Sequence, residues 1–463
     1  MPLDSVLNPD VLSAFRSTVS TPGVILGLGG MAASGAAFVG LGVPQISKAF
    51  LPHPEQSRLA DFLPFDRVLP DGKTIACRNG TLVQCLEMGG IDDTFYTQAD
   101  RDVLFLARKD WIDALGDSGA TVRVFTLREV ADMRPAVQHR QPVLREVGRR
   151  WNNSFREAYR NRQIIVISLP NKARNTIEKL NQCIETTRTI LYKYKPSIMS
   201  QHDADPARRP MAFWARLASP ISQPAPAGVG AGASDAICGD QVEFGERNGV
   251  VRFTSGDNEL FCAVIGLRSL GDFTYEAFVN ALSTVQGELV VAHTIEPWSK
   301  PKAAFSITNQ YRLQIAQRFS PGTAHQFEEA LDRIEGNTDN TQVLTQYMMN
   351  IFVYGKTREQ VTEIEGAIKR IATSYGIFPV REAVAAQAAW FCQFPGYTIW
   401  PRPYKLFSKN IASHTTLDRP PEGLQRCDWG EGPLATFRTA SGTPYAFQFH
   451  VSEEKAAVAH SVC

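Results

Sequence analysis

The sequence predicts an α+β protein with mixed sheets, packed helices and ferredoxin-like βαβ units in its second half. Two observations carry this. Segments with a two-residue apolar period alternate with segments of helical period along most of the chain. Past residue 237 the alternation becomes strand, helix, strand twice over. The bulk numbers agree: 463 residues suffice for two or three domains, and 44% hydrophobic with 21% charged residues describes an ordinary globular chain. Lys+Arg 48 against Asp+Glu 47 leaves a net charge of +1. Such a balance gives no global pull toward nucleic acid.

The folded part opens at Ala60-Asp61-Phe62-Leu63-Pro64-Phe65. Residues 74–77 and 81–88 read as a hairpin, with Asn79-Gly80 at the turn. Thr97 followed by Asp100 has the pattern of a helix N-cap. Leu104, Ala107, Trp111 and Leu115 then repeat at helical spacing, and Gly116 ends the run. Residues 121–127 alternate like a half-buried strand. A helix is expected over 143–159, a strand over 163–169 and a helix over 173–194. Arg145, Arg149, Arg150, Arg156, Arg160 and Arg162 make a basic stretch over and just past the first of these, but Glu146 and Glu157 interleave. A solvated helix face explains them better than a nucleic-acid surface.

The composition shifts between 200 and 236, where Pro, Ala and Gly dominate 219–233. This reads as a linker or exposed loop. Beyond it come strand 260–267, helix 274–282 and strand 288–295, then strand 347–354, helix 358–374 and strand 377–382. Val361, Ile364, Ile368 and Ile371 form the apolar stripe of the last helix. Helical stretches at 309–319 and 324–334 lie between the two units. The expected divisions are therefore an N-terminal segment 1–59, a first α+β domain 60–199, the linker 200–236, a second α+β domain 237–394 and a final region 395–463.

Residues 21–43 carry no charge and are long enough for a candidate N-terminal transmembrane helix, which needs about 20 apolar residues. Small residues four apart, Gly23/Gly27 and Ala32/Ala36/Gly40, suit close helix packing in a bilayer. Arg16 before it and Lys48 and Arg58 after it weakly favour a cytoplasmic C-terminal bulk. A flexible Gly/Ala arm and a signal peptide are the alternatives. A dinucleotide site at Gly27-Leu28-Gly29-Gly30-Met31-Ala32 fails, because the first acid after it is Glu55, behind three prolines.

No catalytic, cofactor-binding or metal-ligating residue is assigned. The eight cysteines include no C-x-x-C pair and read as buried small hydrophobes. Gly-Lys-Thr occurs at 72–74 and 355–357, yet Arg67 and Asn350 stand where a phosphate loop needs its first Gly. Thr357 is better explained as a helix N-cap, with Gln360 in the capping-box position. His450 alternates with Phe447 and Phe449 and reads as a structural histidine.

The last seventy residues carry a resemblance. Phe394-Pro395-Gly396-Tyr397-Thr398-Ile399-Trp400-Pro401-Arg402-Pro403 leads to Ser408-Lys409-Asn410-Ile411-Ala412, then to Pro420-Pro421-Glu422-Gly423, Asp428-Trp429-Gly430 and Thr443-Pro444-Tyr445-Ala446-Phe447-Gln448-Phe449-His450-Val451. The succession resembles the stretch before the phosphate-binding loop in type IV secretion and conjugation ATPases of the VirB/TrbE/CagE family. Ile411 replaces the family's leucine and Ala459 its glycine. The resemblance implies the N-terminal half of such an ATPase, at the cytoplasmic face of the bacterial inner membrane. It implies docking on inner-membrane channel subunits for DNA or protein export, in a homo-oligomer; direct nucleic-acid binding is not predicted. ATP and magnesium are expected of a P-loop domain beyond residue 463, to which 395–463 would be the lead-in. These residues are not expected to hydrolyse ATP alone, and the chain reads as a truncated piece. The rival expectation is a complete, membrane-linked scaffold or interaction protein of a secretion channel, without catalysis.

Overall fold

The computed structural model describes residues 57–447, except 135–140, 173, 227, 229, 246–247, 272–273, 317–327, 335–341, 425–432 and 434. The apolar segment 21–43, the motif at Gly27, Asp428-Trp429-Gly430, His450 and Ala459 lie outside the described residues. Among those described, no helix is long and apolar enough to cross a membrane.

The elements follow in chain order. A short helix α1 (Leu59–Phe62) precedes β1 (Phe65–Val68), β2 (Ile75–Cys77), β3 (Thr81–Met88), α2 (Gln98–Ala114), β4 (Thr121–Ala131), α3 (Pro142–Asn153), β5 (Ala158–Pro170), α4 (Thr176–Ile190) and β6 (Pro196–Ile198). Next come α5 (Pro210–Ala218), β7 (Gly230–Ala231), α6 (Ala233–Ile237), β8 (Gln241–Glu243), β9 (Val250–Ser255), β10 (Asn258–Ser269), α7 (Glu276–Leu282), β11 (Glu288–Pro297) and α8 (Lys300–Ala316). The chain continues through β12 (Leu344–Gly355), α9 (Arg358–Ser374), β13 (Phe378–Arg381), α10 (Ala386–Phe391), β14 (Tyr404–Phe407), α11 (Ser408–His414), β15 (Ala435–Arg438) and β16 (Pro444–Phe447).

The second half has the expected ferredoxin-like order. Strand β13 pairs β10, β10 pairs β12 and β12 pairs β11, all antiparallel. In order of appearance that is 4-1-3-2. The first half repeats it, with β6 on β3, β3 on β5 and β5 on β4, again antiparallel. Each half also begins with a hairpin, β2–β3 or β9–β10, and inserts a helix between its second and third strands. The halves join through their second strands, β4 against β11, running antiparallel with Leu289 opposite Arg128 and Ile295 opposite Val122. One continuous sheet results, with a pseudo-twofold relation across the β4–β11 seam.

Both sheet faces are buried. Strand alternation places Val122, Val124, Ile165, Leu289, Val291, Ile351 and Val353 on one face, under Leu104 and Trp111 of α2, Leu180 of α4, Phe278 of α7 and Val361, Ile364 and Ile368 of α9. Phe125, Leu127, Ile164, Val166, Val290 and Phe352 point to the other face. There Met211, Phe213, Trp214 and Leu217 of α5 cover them with Trp390 of α10. Thr97 caps α2 as expected, in a full capping box with Asp100.

Two expectations are corrected. The helix expected over 143–159 ends at Asn153, and Ala158 already begins β5. The polar, Arg-rich run hides a strand that pairs with β4 from Ala158 onward and becomes continuously buried only from Gln163. Residues 200–236, read as a linker or loop, carry α5, which is buried along most of its length. Met211-Ala212-Phe213-Trp214 supplies the apolar cover for a sheet that would otherwise expose one face. Five of the six described cysteines are buried, and Cys238 is partly so.

Candidate functional site

The final region crosses from one sheet face to the other. Phe394 packs against Phe65 and Trp214 on the α5 face. Gly396 takes a positive φ of 88°, and a Cβ there would lie 2.4 Å from Asn79 Nδ2. Only glycine fits that approach. Tyr397 donates to Phe62 O, and Trp400 Nε1 donates to Tyr397 O at 3.2 Å. Arg402 pairs with the buried Glu382. Strand β14 then joins the start of β12, with Thr345 opposite Leu406, and the chain emerges on the helical face as α11.

There α11 and the residues after it are clasped by both halves. Arg108, buried on α2 of the first half, is the hub. Its Nε donates to Ala412 O at 2.9 Å and its Nη1 to Tyr194 Oη at 2.6 Å and Thr416 O at 3.4 Å. Its Nη2 pairs with Glu276 at the start of α7, in the second half. Asn280, one turn along α7, donates to Asp418 Oδ2 at 2.8 Å and accepts from Thr416 Oγ1 at 2.8 Å. Gln163 of β5 donates to Asp418 O at 2.6 Å. Ile91 N donates to Leu417 O at 3.3 Å, and Arg419 N to Ile91 O at 2.9 Å. Leu417 has φ 55°, a left-handed conformation disfavoured for a branched residue and held here by these bonds on either side.

The clasp carries perturbed titrations. Burial lifts the Asp418 carboxyl to about 6; Asn280 and Arg108 pull it down, while Asp93 and Glu276 add to the rise. Beneath α11, Tyr347 Oη lies 2.9 Å from His293 Nδ1 and 2.9 Å from His414 Nδ1. A hydroxyl can donate to one imidazole and accept from the other. Burial, with His414 beside it, pushes His293 down to about 3, and burial pushes His414 down to about 4. Both are neutral at pH 7. The trio ties α11 to the sheet.

On the opposite face, Arg216 of α5 straddles the seam. It reaches Glu129 of β4 at 3.1 Å and pairs with Glu288 of β11, one carboxylate from each half. Its guanidinium carbon lies 5.3 Å from the Tyr354 ring centre. Burial works to raise Glu129, but Arg216, Arg162 and Arg160 outweigh it and hold that carboxyl below its ordinary value.

Neither Gly-Lys-Thr tripeptide forms a phosphate cradle. Asp71 accepts from Lys73 N at 3.0 Å and Thr74 N at 2.9 Å, which makes 72–74 a tight turn. Gly72 sits against the His202 ring. Gly355 is paired in β12, opposite Phe261. Thr357 Oγ1 accepts from Gln360 N at 3.2 Å and Gln360 Oε1 accepts from Lys356 N at 2.9 Å, so the expected N-cap is present. Neither tripeptide therefore offers a loop that could wrap a phosphate. Among the described residues, no His, Cys, Asp or Glu cluster is placed to hold a metal.

A family model described as "CagE, TrbE, VirB family, component of type IV transporter system" matches residues 211–402, from α5 to the arginine before the clasp. The match spans the second half of the sheet and stops before the clasp. It is 27% identical over 222 residues to the type IV secretion system protein virB4 of Bartonella henselae, covering 47% of this chain and 27% of that protein. It is 26% identical over 214 residues to protein virB4 of Rhizobium radiobacter, covering 46% of this chain and 26% of that protein. The chain thus matches about a quarter of the length of these relatives. The region shared with the CagE, TrbE, VirB family contains Arg216, Glu276, Glu288 and the whole second half, but neither Arg108 nor the clasped residues 404–419. Sequence reading found the segment and missed its partners, because Arg108 and Ala412 are 304 residues apart. The only local signal was the helix-spaced Arg108 within the otherwise apolar stripe of α2.

Proposed function

We propose that this chain is the N-terminal docking part of a type IV secretion ATPase. Its two-half sheet forms a rigid platform that docks on inner-membrane channel subunits at the cytoplasmic face. ATP binding and hydrolysis belong to a P-loop domain beyond residue 463, and residues 404–419 are the joint through which the platform holds that motor. The observation that carries this reading is the clasp: the segment that leads toward the motor in the family pattern is bonded to both halves, by Arg108 on one side and Asn280 on the other. The family match over 211–402 and the two misfit Gly-Lys-Thr tripeptides support it.

The test has two arms. Tagged chain is purified from mild-detergent extracts of bacteria with and without the channel genes. Inner-membrane channel subunits are expected to co-elute from the first strain, and elution of the chain alone from both would overturn docking. In parallel, the chain is assayed for phosphate release from Mg-ATP. No turnover is expected, and Lys356→Ala is expected to change nothing. Turnover that Lys356→Ala abolishes would return the phosphate site to this chain.

A further inference from the structure

Helix α3, inserted between the second and third strands of the first half, buries none of its residues. At about 100° per residue its apolar side chains Val143, Leu144, Val147 and Trp151 fall within one arc of roughly 100°. Their exposures are 73%, 46%, 59% and 49%. Helix α9 has the same kind of stripe and buries it, with Val361 and Ile368 fully enclosed. The stripe of α3 meets no comparable cover among the described residues. Trp151 alone is tied down, donating from Nε1 to Thr436 O at 2.8 Å and lying edge-on to Phe437.

The polar side of α3 carries three arginines, Arg145, Arg149 and Arg150, against one acid. Glu146 binds Arg149 at 2.8 Å and Arg150 at 2.9 Å and leaves the helix cationic. Arg150 falls at the border of the apolar arc, where its stem can lie along apolar surface while its head stays in water. A tryptophan at the edge of an exposed aliphatic arc, with arginines beside it, matches an anionic lipid interface in both shape and charge.

We propose that α3 lies on an anionic membrane surface, its Val143–Val147 stripe in the acyl boundary and its arginines among phosphate headgroups. The inference rests on the membrane-side role proposed above and assigns that role a lipid contact of its own. Residues 21–43 are a candidate membrane segment by sequence, so the readout must be local to α3. Hydrogen exchange of the full chain is followed with vesicles of phosphatidylcholine alone and of equimolar phosphatidylcholine and phosphatidylglycerol. Exchange across 142–153 should slow about tenfold on the anionic vesicles only. Val143→Asp/Val147→Asp should abolish that protection, and so should the milder Val143→Ser/Val147→Ser, while β4 and β5 keep their slow exchange. Arg145→Gln/Arg149→Gln should weaken it. No protection on anionic vesicles, or equal protection on neutral ones, would overturn the proposal. So would protection that grows with protein concentration without lipid, which would make the stripe a contact between copies. Channel co-elution is scored separately: a variant that loses lipid protection and still co-elutes leaves the docking reading intact.

Discussion

On one face of the sheet Arg216 meets two carboxylates, one from each half; on the other, Arg108 meets one carboxylate and two backbone carbonyls of a third segment. Both arginines are buried and both bridge the halves. They differ in what they would leave behind. Without Arg216, Glu288 loses its ion-pair partner inside a covered face and Glu129 keeps Arg160. Without Arg108, the chief loss is the anchor of α11 and the residues after it. The α5 face thus ties half to half, and the helical face ties both halves to the joint.

The largest expected effect tests the first of these. Arg216→Ala should cost about 3–5 kcal/mol in urea unfolding, because it strands Glu288 and leaves Glu129 with Arg160 alone. Arg216→Met with Glu129→Leu and Glu288→Leu should recover most of that loss. If the single variant unfolds like the parent, the seam does not depend on this triad.

A pH series probes the helical face. Unfolded imidazoles titrate near about 6.5, whereas folded His293 and His414 resist protonation down to about 3 and about 4. Below pH 6.5 the unfolded chain takes up protons that the folded chain refuses. Stability should therefore fall as the pH drops from about 6.5 toward 4, by about 1.4 kcal/mol per pH unit for each histidine. Asp418 acts in the opposite sense. Its folded carboxyl titrates near 6, above the unfolded value, so it adds stability as the pH falls through that window and offsets one histidine. Asp418→Asn should steepen the acid slope. An unchanged slope would mean that Asp418 sits in water.

The smallest effect sharpens the contrast with Arg216. Arg123, on the same face and fully buried, reaches only Cys392 O and Ser168 Oγ, each at 3.4 Å, and burial pulls its guanidinium down to about 10. No carboxylate pairs with it among the described residues. Arg123→Met should stabilise the protein by about 1 kcal/mol in thermal unfolding, the reverse of Arg216→Ala.

The second half was legible because its strands and helices are long and cleanly periodic: expected strand 260–267 lies within Asn258–Ser269, and expected helix 358–374 matches Arg358–Ser374. The repeat in the first half was not. Its fourth strand is only Pro196–Ile198, too short to show a period, and its third strand begins in an Arg-rich stretch that mimics a helix face. Helix α5 was obscured by its Pro/Gly-rich neighbours, although Phe213-Trp214 marks it as buried. The clasp was half visible. The residues that resemble a family lead-in could be read locally, whereas Arg108, Glu276 and Asn280 come to them only through the topology of the two halves.

Residues 404–419 are held by both halves through Arg108. The direct test is hydrogen exchange on the full chain and on Arg108→Ala, with Arg108→Lys as a control that keeps charge but not the fork of donors. Exchange across 408–419 should rise sharply in Arg108→Ala and partly in Arg108→Lys, while β4 and β11 stay as protected as in the parent. Unchanged protection of 408–419, or a uniform rise over the whole sheet, would contradict the account.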